Sequence, residues 1–110
     1  DEISKRQLAS MQEGPVFAMV LEGIDAVDFV RKMVGGTEPK SAQPGTIRGD
    51  YAHVSYGQAS SVGRGVGNII HASADKDEAK KEIAHWFSDS EIYDYEVVHE
   101  KFTQPGRKKK

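Results

Sequence analysis

The sequence contains no cysteine, which rules out a disulfide framework, a thiolate nucleophile and sulfur ligation of soft metals. It also lacks any apolar run near the ~20 residues that a membrane-spanning helix needs. The opening residues, Asp1-Glu2-Ile3-Ser4-Lys5, do not have the form of a signal peptide. A soluble, cytoplasmic protein without a membrane partner is therefore expected. Aromatic residues make up only 8% of the chain and are not interleaved with basic ones, and the net charge is −2. Four of the positive charges are Arg107, Lys108, Lys109 and Lys110, so the rest of the chain carries −6. An acidic body with so few aromatics argues against nucleic-acid binding. The 110 residues suffice for one domain with one core. Residues 1–106 are read as that domain, and 107–110, after Pro105-Gly106, as a solvated basic tail.

The periodicity of the remaining residues gives an order of elements. Ile3, Leu8 and Met11 mark a helix over residues 3–12, which Gly14-Pro15 ends. Residues 16–21 are continuously apolar, as in a strand buried on both faces. Ile24, Val27, Val30 and Met33 or Val34 recur at helical spacing up to Gly35-Gly36. Arg31 sits on the border of that stripe. Residues 35–50 form a long loop rich in glycine, proline, serine and threonine, and Thr37, Thr46 and Arg48 favour an ordered one. An arginine fork matches phosphate oxygens, and hydroxyls with backbone amides complete such a cradle. No regular structure is placed in residues 51–67, which are read as a flexible loop; Gly63-Arg64-Gly65-Val66-Gly67 is at best a weak anion-nest signal. Residues 92–98 look extended and 99–106 irregular.

The most informative residue is His71, which leaves the short apolar run Ile69-Ile70 immediately before a helix start signal. Asp75 followed by Glu78 reads as an N-cap with its capping-box partner. The free N–H groups at such a helix start favour an anion. A neutral imidazole beside it keeps a lone pair that can attack phosphorus. In the helix that follows, over 75–87, Ala79, Ile83, Trp86 and Phe87 are expected to pack against a sheet, making Trp86 a core residue. Glu82 lies on the margin of that face.

Three blocks occur in order: Gly14-Pro15-Val16-Phe17-Ala18-Met19-Val20-Leu21-Glu22-Gly23, Pro44-Gly45-Thr46-Ile47-Arg48-Gly49-Asp50, and Asn68-Ile69-Ile70-His71-Ala72-Ser73. With Glu82-Ile83 and Trp86-Phe87 downstream, they resemble the nucleoside diphosphate kinases over residues 10–96, corresponding to the last two thirds of that family's chain. The resemblance implies an α+β fold, an α/β sandwich in which helices flank a ferredoxin-like antiparallel sheet. It also implies a phosphotransferase that moves the γ-phosphate of a nucleoside triphosphate to a nucleoside diphosphate through a phosphohistidine, in ping-pong order. On this resemblance His71 is the nucleophile, and Glu82 and Ser73 support the ring. Arg31, Thr37 and Arg48 contact phosphates, and Asn68 contacts the sugar. Mg2+ would be bound mainly through the nucleotide's phosphates, with no metal-ligating residue of the protein assigned. The partners implied are nucleoside tri- and diphosphates and further copies of the chain, in a hexamer or tetramer.

Two departures qualify this. The connection between the second and third blocks is longer than the family's, an insertion near residues 52–66. The family's initial strand with its Lys-Pro-Asp motif, the next helix and a second strand have no counterpart before Gly14. A chain that is part of a longer protein is expected; one beginning at Asp1 would be expected to have poor activity. The alternative function is a catalytically impaired nucleotide-binding or assembly module of the same fold.

Overall fold

A computed structural model describes residues 2–107. Asp1 and three of the basic tail residues, Lys108, Lys109 and Lys110, lie outside the described residues. Six α-helices follow one another: α1 Glu2–Met11, α2 Ala26–Val34, α3 Ile47–Tyr51, α4 Tyr56–Ser61, α5 Lys76–Trp86 and α6 Glu100–Thr103. Single 3-10 turns occupy Pro39–Ser41 and Asp89–Glu91. Among the described residues there is no β-strand, which overturns the expected antiparallel sheet.

The physical reason lies in pairing. An apolar run becomes a strand only when a neighbour completes its ladder of backbone hydrogen bonds. Residues 15–22 make no such bonds among the described residues. The run read as a doubly buried strand is instead exposed, with Phe17 at 87%. Ile69, in the short apolar run before His71, and Tyr93, in the segment read as extended, are exposed for the same reason. Without a sheet to pack on, α5 has no fully buried residue, and Trp86 is 53% exposed rather than part of a core. The radius of gyration, 16.9 Å, exceeds the ~13 Å usual for a compact domain of about 100 residues.

The buried part is small and local. Val34 at the end of α2, Pro39, Arg48, Ala52 and Ala59 are buried, together with Glu100 of α6. α3 packs on α2 and on the Pro39–Ser41 turn. Helix α2 stops at Gly35, whose φ of 90° suits glycine alone, and a Cβ there would come within 2.5 Å of Thr46 Oγ1. Thr46 caps α3: its hydroxyl accepts from Gly49 N at 3.1 Å and donates to the Gln43 carbonyl at 2.6 Å. Its hydroxyl therefore serves the helix start rather than a phosphate cradle. A Cβ on Gly49 would lie 2.1 Å from the Gln43 carbonyl oxygen. Gly49→Ala gains about 0.5–1 kcal/mol of helix propensity but must push main chain aside, so a net loss of about 2 kcal/mol is expected in urea unfolding.

The stretch read as a flexible loop contains α4. Ser55 accepts from Gln58 N at 3.1 Å, and the Glu38 carboxylate accepts from Tyr56 N at 2.9 Å. The Tyr56 amide, then the Ser41 hydroxyl, hold the Glu38 carboxyl below its ordinary pKa. At the other end Gly63 has φ 68° and the amides of Gly63 and Arg64 return to the carbonyls of Ser60 and Ala59. Those two amides are spent closing the helix rather than held free for an anion. Arg107, expected in a solvated tail, instead meets Glu22 at 2.6 Å and Asp94 and Glu100 at 3.2 Å.

Candidate functional site

Helix α5 begins where its sequence signal predicts. The Asp75 carboxylate accepts from the amides of Asp77 and Glu78 at 2.9 and 2.8 Å, and the Glu78 carboxylate accepts from Ala74 N. This fixes the turn that carries His71 and Ser73 against the first turns of the helix. Glu82, two turns in, then faces back toward them.

The imidazole Nε2 of His71 lies 2.7 Å from Glu82 Oε1, and Ser73 Oγ donates to Glu82 Oε2 at 2.5 Å. Both carboxylate oxygens are thereby engaged. The Ser73 hydrogen bond, followed by that of His71 and its charge, outweighs partial burial and lowers the Glu82 pKa. A carboxylate that stays ionised holds the proton on Nε2, which leaves the lone pair on Nδ1. The ring is 66% exposed.

Two guanidinium groups brace the backbone on either side of His71. Arg48 Nη2 donates to the carbonyl of Ile70 at 2.9 Å, and its Nη1 to the carbonyls of Gly35 and Gly36 at 3.1 and 3.3 Å. Arg31 Nη1 reaches the carbonyls of Ala72 and Ser73, both at 3.5 Å. Burial, and after it the nearby charge of Arg31, lowers the Arg48 pKa, and Arg48 Nε is buried without a partner among the described residues. Asn68 Nδ2 donates to the Thr37 carbonyl at 3.0 Å, so the loop after α2 is tied to the segment leading to His71. Of the seven residues singled out in the sequence, His71, Ser73, Glu82 and Arg31 share one hydrogen-bonded cluster, whereas Arg48 and the Asn68–Thr37 pair hold the adjoining main chain by separate bonds, Thr37 through its carbonyl rather than its hydroxyl.

The sequence reading missed the extent of Arg48's structural role and the position of Glu78 beside the ring. The first rests on carbonyls 12 to 22 residues away, which no local pattern reports. The second was readable, because Glu78 and Glu82 are spaced i, i+4 on one helix face. Removing the guanidinium leaves three carbonyls without their donor. Arg48→Ala is expected to cost about 3 kcal/mol in urea unfolding. Lysine would not restore it, since a single ammonium lacks the planar fork that spans separate acceptors.

A family model described as nucleoside diphosphate kinase matches residues 3–92. The nucleoside diphosphate kinase of Borreliella burgdorferi is 46% identical over 85 residues, covering 77% of this chain and 51% of the relative. That of Pyrobaculum aerophilum is 50% identical over 91 residues, covering 82% and 50%. The chain thus spans about half the length of the curated relatives it matches. Among solved structures, an NDP kinase from Pyrobaculum aerophilum superposes with a TM-score of 0.82 at 46% identity, covering 84% of this chain and 51% of that one. A Borrelia burgdorferi nucleoside-diphosphate kinase with bound vanadate and ADP, a transition-state mimic, gives 0.69 at 44% identity, covering 72% and 47%. A halophilic nucleoside diphosphate kinase from Halobacterium salinarum in complex with CDP gives 0.66 at 34% identity, covering 94% and 72%.

Proposed function

The chain belongs to the nucleoside diphosphate kinase family, and on that premise we propose that it carries γ-phosphoryl groups between nucleotides through a phosphohistidine at His71. The observation that carries this reading is the 2.7 Å contact between His71 Nε2 and Glu82, which leaves Nδ1 as the nucleophilic atom. In the first half-reaction the Nδ1 lone pair forms a bond to the γ-phosphorus of the donor triphosphate. The bond from that phosphorus to the β,γ-bridging oxygen breaks, and the diphosphate leaves with the electron pair. The ring then carries positive charge that Glu82 stabilises through Nε2–H, while Ser73 keeps the carboxylate aligned. In the second half-reaction a terminal β-phosphate oxygen of a different diphosphate attacks the same phosphorus, and the N–P bond returns its electrons to Nδ1.

Phosphoryl transfer places charge on oxygens, so positioning and cationic groups do most of the work. Arg31 and Arg48 retain N–H groups beyond those bound to carbonyls, and these, with Thr37, are assigned to the phosphates. The amide oxygen of Asn68 remains an acceptor for a sugar hydroxyl. The nucleotide would enter as its Mg2+ complex, the ion supplying neutralisation of phosphate charge, with no residue of the protein assigned to hold it. With both oxygens of Glu82 engaged by His71 and Ser73, the cationic groups assigned to the phosphates are those of Arg31 and Arg48. ADP in one structural relative and CDP in another support a site that accepts purines and pyrimidines alike. The same reading implies homo-oligomers, hexameric or tetrameric, to be measured by light scattering, and a cytoplasmic location. Among the described residues no helix is long and apolar enough to cross a membrane.

The test is a label-transfer assay on the full-length chain with γ-labelled ATP and unlabelled GDP, CDP and UDP. Expected are an acid-labile, alkali-stable labelled protein and labelled triphosphates from every acceptor. Nucleotide binding with no labelled protein would overturn the reading in favour of a binding or assembly module.

A further inference from the structure

We propose that His71, Glu78 and Glu82 also form an inhibitory site for a zinc-like divalent cation, distinct from the magnesium that travels with the nucleotide. One ligand atom from each of the three residues falls in a group whose members all lie within 4.8 Å of one another. Two ligands on one tetrahedral zinc stand about 3.3 Å apart, given bonds of ~2.0–2.2 Å. Small side-chain rotations of the exposed ring and the two glutamates close that difference. The three come from rigid supports. Glu78 and Glu82 are one turn apart on α5, and Glu78 is held near the ring by the amide of Ala74.

The donor set selects the ion. One imidazole nitrogen with two carboxylates suits zinc, cobalt or nickel, and three protein ligands leave a fourth position for water. Magnesium demands six hard oxygens in octahedral array and gains little from a nitrogen. Coordination at Nε2 replaces its proton, which passes to solvent, and turns Glu82 from a partner of the ring into a partner of the metal. Nδ1 then loses electron density, and the positive charge that develops on the ring meets a cation instead of a carboxylate. Phosphoryl exchange should fall as the site fills.

The cation site stands on the side-chain cluster alone, whereas its inhibitory effect rests on the phosphotransfer reading above, and the experiment separates them. Zinc binding to the full-length chain is measured by equilibrium dialysis without nucleotide, and exchange is measured separately with Mg·ATP. One zinc per chain is expected, with exchange lost in proportion to occupancy. Glu78→Gln keeps an oxygen for the Ala74 amide but loses the anionic ligand. It should weaken zinc binding at least tenfold and reduce zinc inhibition equally, with inhibition read as the ratio to the same protein's own zinc-free exchange. Cobalt(II) should give the intense visible bands of a four-coordinate nitrogen–oxygen site in the wild type and lose them in the variant. Absence of zinc binding in the wild type, or equal binding by Glu78→Gln, overturns the proposal. Zinc binding that Glu78→Gln weakens, in a protein that exchanges no phosphate even when metal-free, supports the cation site and sinks the phosphotransfer reading instead.

Discussion

Replacing His71 with alanine is expected to abolish the labelled protein and to lower exchange by roughly 10⁴-fold or more, the scale seen when a covalent nucleophile is deleted. That factor corresponds to about 5.4 kcal/mol of lost transition-state stabilisation. It exceeds what a positioning residue of the site would give, because the proposed exchange forms and breaks its covalent bond at His71. Arg31, Arg48 and Asn68 remain, so nucleotide affinity should change little, and the loss should fall on kcat rather than KM. The imidazole is 66% exposed and packs against no core. Unfolding free energy should therefore stay within about 0.5 kcal/mol of the wild type. This contrast with Arg48→Ala, which strikes folding directly, separates a reacting group from a structural one. Exchange that survives in the alanine protein, with label on another residue, would move the chemistry away from His71.

The sequence made the site more legible than the fold, and the difference is physical. The start of α5 depends on Asp75 and on amides two and three residues later, all local, and it forms where the pattern places it. The stop of α2 at Gly35 is equally local, since only that residue must adopt φ 90°. Residues 16–21 carry as strong an apolar signal, but what that run becomes depends on pairing partners elsewhere in the chain, and its own composition says nothing about them. Helix α4 falls between these cases. Ser55 three residues before Gln58 is a readable start signal, overlooked among glycines and serines, whereas the Glu38 carboxylate that completes the cap comes from 18 residues away. Arg107 was unreadable for a similar reason. Glu100 is only 6% exposed, a buried carboxylate needs a cation, and the arginine that answers it also bridges to Glu22, far off in the chain. At the site, the ordered motifs brought all seven residues to attention, but the division of labour between Nε2 and Nδ1 came only from geometry.

That division is tested by Glu82→Gln, expected to lower exchange on the order of 10²-fold with KM nearly constant, by analogy with the size of acid–base contributions. The amide still accepts from Nε2–H, but it brings no charge to offset the phosphorylated ring, and its other end cannot accept from Ser73 as the carboxylate does. The pH dependence follows from the lowered pKa of Glu82, whose largest cause is the Ser73 hydrogen bond. An unfolded glutamate titrates near 4.3, so the charged form stabilises the folded state above that pH, and the benefit disappears as pH falls through the lower folded value. The stability difference between wild type and Glu82→Gln should accordingly shrink on acidification below about pH 5. Ser73→Ala removes the principal hydrogen bond to the anion and should raise the Glu82 pKa toward the ordinary range, which shifts that acid edge upward. Carboxyl carbon chemical shifts followed through an acid titration would report the change directly. An unshifted edge in Ser73→Ala would mean that Ser73 does not hold the Glu82 anion in solution, and the alignment of carboxylate, ring and nucleophilic nitrogen would need another source.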